Sequence, residues 1–229
     1  MVSAFIALSL AQGLTSIDAV LGKGAVAEAG DTVTVTYKGN LTDGKVFDSS
    51  ENKPPLAFVL GKGQVIKGWD DGVRGMRVGG TRFLSIPPTL GYGDRPLGDV
   101  IPANSTLIFE VKLLRVDKEK DEQVIAIEDS VVGTGAEVVS GKTVEVHYRG
   151  LFLNGKQFDA SYDRGTPLSV KAGGGQVIKG FDQGLIGMRV GGKRRVTIPY
   201  KLGYGENGRP PIIPSRSTLV FELEIVSVK

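Results

Sequence analysis

The stretch Gly61-Lys62-Gly63-Gln64-Val65-Ile66-Lys67-Gly68-Trp69 decides the fold, because it occurs twice. It returns as Gly173-Gly174-Gly175-Gln176-Val177-Ile178-Lys179-Gly180-Phe181, with Gln-Val-Ile-Lys-Gly unchanged and a large aromatic closing each copy. A glycine loop can turn an apolar pair and a bulky ring inward at the start of a short helix. We read each copy as the floor of a hydrophobic pocket.

The repeat extends outward from this stretch. Tyr37 matches Tyr148, Phe47-Asp48 matches Phe158-Asp159 and Gly22 matches Gly133, all 111 residues apart. After one inserted residue the spacing is 112: Val65-Ile66 matches Val177-Ile178, Met76 matches Met188, Tyr92 matches Tyr204, Pro102 matches Pro214 and Phe109 matches Phe221. So long a period marks a duplicated domain, not a solenoid unit. A chain of 229 residues then holds two ordinary domains. The expected division is a leader at 1–13, a first domain at 14–116, a linker at 117–123 and a second domain at 124–229. The run Asp117-Lys118-Glu119-Lys120-Asp121-Glu122 has no apolar residue to bury. It is expected to be a solvated linker or a strand-to-strand connection.

Each copy has one plan. Residues 32–37 alternate, with Val33, Val35 and Tyr37 on one face, which predicts a half-buried strand. Asp43-Gly44 and Asn154-Gly155 are hairpin turns. Residues 56–60 form a short strand. Ile66, Trp69, Val73 and Met76 are spaced as one helical face, repeated by Ile178, Phe181, Leu185 and Met188, with Val78-Gly79-Gly80 closing the helix. A strand follows to Ile86, then a Gly/Pro loop from Pro87 to Pro102. In the last strand Leu107, Phe109, Val111 and Leu113 point one way. Ile108, Glu110, Lys112 and Leu114 point the other. Many strands and one short helix predict an α+β domain, an antiparallel sheet wrapped on a helix.

Several chemistries are excluded. The net charge of +3 comes from dispersed Lys and Arg, so no nucleic-acid footprint is present. There is no cysteine, and His147 is the single histidine, which argues against a metal site or a Ser/Cys–His system. His147 reads as a structural or surface residue. The segment from Gly135 to Thr143 has five residues between its glycines where a phosphate loop needs four. The Gly61 and Gly173 loops do not match the dinucleotide fingerprint. Of the carboxylates, Asp48 and Asp159 are read as recurring, each alone beside a phenylalanine. The apolar run in Met1–Ala11 is too short to span a bilayer. It reads as a leader or a weak export signal, so the expected compartment is the cytoplasm, or the secretory pathway if residues 1–11 act as a signal. Asn40-Leu41-Thr42 and Asn104-Ser105-Thr106 match the glycosylation sequon, which matters only in a secreted chain.

What remains is apolar and aromatic: Tyr37, Phe47, Val65, Ile66, Trp69, Tyr92, Ile101 and Phe109, with Asp48 beside them. Tyr92 stands in Gly91-Tyr92-Gly93 at the start of a loop, where aromatics more often line a site than fill a core. An apolar floor with a few polar tips is the default ligand site. At these residues the chain resembles the FKBP-type peptidyl-prolyl cis-trans isomerases, the macrolide-binding immunophilins. The likeness covers about 14–115 and 124–229. It rests on Tyr37 with Gly39, Phe47-Asp48-Ser49-Ser50, Val65-Ile66-Lys67-Gly68-Trp69, Gly91-Tyr92-Gly93, Ile101-Pro102 and Leu107-Ile108-Phe109.

The resemblance implies a five- or six-stranded antiparallel sheet around a short helix, a proline pocket, no cofactor and no metal. It implies that the Ile66 N–H and the Tyr92 hydroxyl bond ligand carbonyls, and that Trp69 floors the proline. Tyr37, Phe47, Val65 and Phe109 would be walls, with Ile101 nearby and Asp48 as a polar partner. The second set is Tyr148, Phe158, Asp159, Arg164, Val177, Ile178, Phe181, Tyr204, Ile213 and Phe221. In such proteins an arginine a few residues on often holds the aspartate. Arg164 is that residue in copy two. Copy one reads Glu51-Asn52-Lys53 there, so Asp48 is expected to lack the partner. Leu56 and Leu168 stand where the family commonly has a rim phenylalanine. The loop tips Arg95–Asp99 and Asn207–Pro211 differ, so the copies should prefer different peptides. The expected partners are proline-containing peptides, client proteins and macrolides. Neither nucleic acid nor a membrane is expected, and the chain should be a monomer. The alternative is a proline-segment binding module, chaperone or scaffold with weak turnover.

Overall fold

The computed structural model describes residues 13–229. The expectation for Met1–Ala11 lies outside them. The chain divides into two compact units, the first ending at Glu119 and the second spanning Lys120–Lys229.

The first unit contains strands β1 (Thr15–Val20), β2 (Thr32–Leu41), β3 (Val46–Ser49), β4 (Leu56–Val59), β5 (Thr81–Ile86) and β6 (Leu107–Asp117), with helix α1 (Lys67–Gly72). The strands form one six-stranded antiparallel sheet in the order β1-β5-β6-β2-β3, with β4 also on β2. Strand β2 serves two partners on one edge: Thr32–Val35 pair with β4 and Lys38–Asn40 with β3. The second unit repeats this with β7 (Ala126–Val131), β8 (Thr143–Phe152), β9 (Gln157–Ala160), β10 (Leu168–Lys171), β11 (Lys193–Ile198), β12 (Leu219–Val228) and α2 (Lys179–Leu185). Its order is β10-β8-β12-β11-β7, with β9 on β8. The α+β reading therefore holds, with six strands in each sheet.

Alternation places the core. On β6, Leu107, Phe109, Val111 and Leu113 are buried while Glu110 and Lys112 are exposed, as a two-residue period requires. The Asp43-Gly44 turn closes through the Gly44 N–H donating to the Leu41 carbonyl at 3.0 Å, with Gly44 at φ 88°.

The helices are shorter than the spacing predicts. α1 ends at Gly72, and Gly75, at φ 79°, turns the chain away. Met76 is buried, but in that turn. Ala27 competes for the backbone here: Gly75 N–H donates to its carbonyl at 2.9 Å and its own N–H donates to the Met76 carbonyl at 2.8 Å. Val78-Gly79-Gly80 does not close the helix. It forms the turn into β5, where Gly80 N–H donates to the Arg77 carbonyl at 2.9 Å.

Two glycines let each helix lie on its sheet. A Cβ at Gly68 would sit 2.4 Å from Ile86 and one at Gly72 2.7 Å from Leu84. Residues four apart share a helical face, so this face touches β5 without side chains of its own. Gly180 and Gly184 repeat the contact on Ile198 and Val196. An arginine then fixes each helix end. Arg82 grips Asp18 through Nε at 2.6 Å and Nη2 at 2.9 Å, while Nη1 donates to the Gly72 carbonyl at 2.9 Å. Arg194 does the same with Asp129 and Gly184. These bonds occupy carbonyls that a helix C-terminus leaves without partners.

The charged run is not simply solvated. Asp117, the last residue of β6, is fully buried and pairs with Arg115 at 2.7 Å. Lys118 pairs with Glu28 at 2.6 Å and Asp31 at 2.7 Å. Glu122 is buried in the second unit, where it pairs with Lys201 at 2.5 Å. Arg115, on the same strand as Asp117, and the distant Glu28, Asp31 and Lys201 draw these charges onto the domains.

Candidate functional site

In the first domain four rings from four elements meet edge to face. Tyr37 of β2 and Trp69 of α1 have centroids 5.1 Å apart with planes at 85°. Phe109 of β6 stands against Trp69 at 5.2 Å and against Phe47 of β3 at 5.3 Å. Opposite charge on ring edges and faces favours this geometry. Gly39 makes it possible. It pairs with Phe109 across β6 and with Asp48 across β3. A Cβ there would lie 2.7 Å from the Phe47 ring and 2.8 Å from the Phe109 ring.

These rings bound a concavity of about 240 Å³ lined by Tyr37, Phe47, Asp48, Leu56, Gln64, Val65, Ile66, Trp69, Tyr92 and Phe109. Ile101 is different. It is buried in the core and pairs with Leu97 at the base of the long loop, and it does not line the concavity. Ile213 holds the same place in the second core, paired with Arg209. Ile66 caps the start of α1. Among the described residues its N–H donates to no acceptor.

Asp48 is the polar centre. It accepts the Tyr37 hydroxyl at 2.5 Å and the Ser49 N–H at 2.8 Å, and Lys53 Nζ lies 3.0 Å away. Asp48 therefore has a cationic partner, contrary to the sequence expectation. The one-residue difference between the copies falls after this turn, so Lys53 stands five residues past Asp48 as Arg164 stands past Asp159. Both N–H groups donate to the matching serine carbonyl, Ser50 at 3.0 Å and Ser161 at 3.2 Å. Burial alone would raise the Asp48 carboxyl, but the bonds from Tyr37, Lys53 and the Ser49 N–H hold it below the usual range. Burial and the bond to Asp48 push the Tyr37 phenol far above its ordinary value. Tyr92, 38% exposed, is also raised, by burial and then by the Asp48 charge. Both phenols stay protonated donors at neutral pH.

The second domain repeats the frame with a smaller floor. Tyr148 meets Phe181 at 5.7 Å, Phe181 meets Phe221 at 5.1 Å and Phe158 meets Phe221 at 5.7 Å. Phe58 backs Trp69 at 5.9 Å, whereas its counterpart is Val170. Val177, Ile178 and Tyr204 pack partly buried on the core. Arg164 reaches further than Lys53 does toward the tyrosine: it donates to Asp159 at 2.6 Å and to the Tyr148 hydroxyl at 2.7 Å. Burial would raise Asp159, but Tyr148 and Arg164 together hold it below the usual range.

A model of the FKBP-type peptidyl-prolyl cis-trans isomerases matches residues 24–114 and again 135–226. The chain belongs to this family. Human peptidyl-prolyl cis-trans isomerase FKBP9 is 41% identical over 202 residues, covering 87% of this chain and 35% of the relative. FK506-binding protein 4 of Aspergillus oryzae is 56% identical over 105 residues, covering 46% of this chain and 22% of the relative. The crystal structure of AtFKBP13 is 45% identical, covers 45% of this chain and 92% of its own, and superposes with a TM-score of 0.42. The chain spans about a third of the length of the human relatives it matches.

Two further polar residues shape each FKBP site, and the sequence reading missed them. Asp70 is buried and accepts the N–H groups of Gly61 at 2.7 Å and Gly63 at 2.9 Å. Asp182 does the same for Gly173 and Gly175. Gln64 accepts the Val59 N–H at 2.9 Å and Gln176 the Lys171 N–H at 2.8 Å. Together they fold the glycine loop back so that Val65 and Ile66 face the concavity. The signal was available: Asp70 and Asp182 recur at the spacing of the floor aromatics, so Asp48 and Asp159 are not the only recurring carboxylates.

Proposed function

We propose that this chain accelerates cis–trans rotation of X-Pro bonds in peptides and folding proteins, with the first FKBP domain the stronger site. The observation that carries the reading is the edge-to-face cage of Tyr37, Phe47, Trp69 and Phe109, with protonated Tyr37 and Tyr92 at its rim. Amide resonance sets a rotation barrier near ~20 kcal/mol, which takes roughly 10–100 s to cross unaided. The half-rotated amide has lost that resonance, so its carbonyl is less polar and tolerates an apolar wall better. A site that favours the twisted state by about 2.7 kcal/mol gives a hundredfold acceleration. No proton transfer or covalent step is needed. Trp69 floors the proline ring, the Ile66 N–H and the Tyr92 hydroxyl hold substrate carbonyls, and Asp48 fixes Tyr37.

The second domain is read as a weaker isomerase or a proline-segment binding module, because Phe181 and Val170 replace Trp69 and Phe58. Macrolides are the expected competitive ligands. A protease-free exchange assay on a proline peptide tests this, with Trp69→Ala and Phe181→Ala made separately in the full chain. Trp69→Ala should remove most of the activity and Phe181→Ala little. A parent chain without rate enhancement would leave the binding-module reading for both domains.

A further inference from the structure

The loops that follow the rim tyrosines carry opposite charge. From 94 to 104 the first loop holds Asp94, Arg95 and Asp99, two carboxylates against one arginine. From 206 to 216 the second holds Glu206, Arg209 and Arg216, one carboxylate against two arginines. Four positions change charge: Arg95, Leu97, Asp99 and Asn104 become Asn207, Arg209, Pro211 and Arg216.

Position 104/216 is tied to the pocket rim by backbone. Asn104 N–H donates to the Gly93 carbonyl at 2.8 Å, next to Tyr92. Arg216 N–H donates to the Gly205 carbonyl at 3.3 Å, next to Tyr204. Both residues adopt the left-handed conformation, φ 59° and φ 51°, so the two loops present this position alike. The Arg216 side chain makes one hydrogen bond among the described residues, from Nη2 to the exposed Glu206 at 3.1 Å. A guanidinium has five N–H donors. Its Nε is buried without an acceptor, which leaves the group held by packing and by one solvated carboxylate. The side chain is 20% exposed, so what it can still offer a ligand is its Nη end, on the loop that follows Tyr204. A guanidinium end held by one solvated carboxylate suits a second one, which its two Nη groups can grip in bidentate fashion.

We propose that Arg216, aided by Arg209, makes the second domain select proline segments with an acidic residue within two positions of the proline. The first domain, with Asn104 and an acidic loop, lacks this preference. The inference rests on the peptide-binding reading above and names the substrate class of its second site.

The test uses a feature of the sequence. Trp69 is the single tryptophan, so intrinsic fluorescence of the full chain reports the first pocket. The double substitution Trp69→Phe with Phe181→Trp moves the reporter to the second. Two proline peptides that differ only in Glu or Lys beside the proline are titrated into both chains at low salt. At the second pocket the Glu peptide should bind several-fold tighter, about threefold per arginine as for an exposed ion pair. The preference should shrink at high salt. Arg216→Asn with Arg209→Leu should abolish it. Asn104→Arg, read through Trp69, should create it in the first domain, where the backbone already has the needed conformation. Equal binding of both peptides at the second pocket, or a preference that survives loss of both arginines, overturns this inference alone. No response at either pocket overturns the peptide-binding reading with it.

Discussion

The Tyr37 hydroxyl lies 2.5 Å from Asp48 Oδ2, and Lys53 holds the other carboxylate oxygen at 3.0 Å. A core-facing ring is thereby locked to a rim carboxylate, and the lock depends on charge. The folded Asp48 value lies below the usual one, so its contribution is fully present above the ordinary carboxylate range near 4 and is lost as pH falls through the lowered value. Ligand affinity read through Trp69 should be flat between about pH 8 and 5 and fall only in more acidic solution. Asp48→Asn should remove that acid limb and weaken binding at neutral pH while the fold persists. A midpoint above pH 5 in the parent chain would show that Asp48 is not the group responsible.

Gly39 should be as sensitive as any ring around it. A Cβ there meets Phe47 and Phe109 below 3 Å, so Gly39→Ala must displace one of them. Overpacking of this kind costs about 1–3 kcal/mol. Thermal unfolding should show that loss, and binding at the first site should fail with it. Gly44→Ala, at an exposed turn with open space but at φ 88°, should cost some stability and leave binding unchanged.

Asp70 positions the loop without itself lining the concavity. Asp70→Asn keeps the shape but can accept with one oxygen only, so one of the Gly61 and Gly63 N–H groups loses its partner. A loss of about 1–3 kcal/mol is expected for an unsatisfied buried group. Hydrogen exchange at Gly61 and Gly63 should quicken well before the sheet amides do. Unchanged exchange there would remove the positioning role.

Arg82 binds the Asp18 carboxylate and the carbonyls of Gly72 and Arg74 at once. Its removal strands Asp18 in a largely buried site, which costs about 3–5 kcal/mol. Arg82→Ala should therefore unfold the first domain at markedly lower denaturant, while Arg82→Lys, lacking the fork, should recover only part of the loss. Arg195→Ala, an exposed arginine pairing with Glu222 on the outer sheet face, should change stability by less than about 1 kcal/mol.

The sequence alone determined the duplication, the α+β class and nearly all of the cage. Each of these depends on periodicity or on residues repeated in order, such as Tyr37 with Tyr148 and Phe109 with Phe221. It also fixed which rings differ, Trp69 against Phe181. What it left open was decided by which groups the folded backbone brings into reach, near or far along the chain. The helix stops at Gly72 because Ala27 takes the next backbone groups. Asp117 and Glu122, in a run that reads as solvated, are buried because Arg115 and Lys201 reach them. Ile101, which the resemblance places near the pocket, is buried in the core and pairs with Leu97 of the same loop. Asp48 gains Lys53, and Asp70 holds the Gly61 loop, because a turn and a helix bring them within hydrogen-bond distance. Local pattern states which residues prefer burial or a turn. Only the folded chain decides which polar groups satisfy one another, because an unpaired buried polar group costs more than the geometry that pairs it.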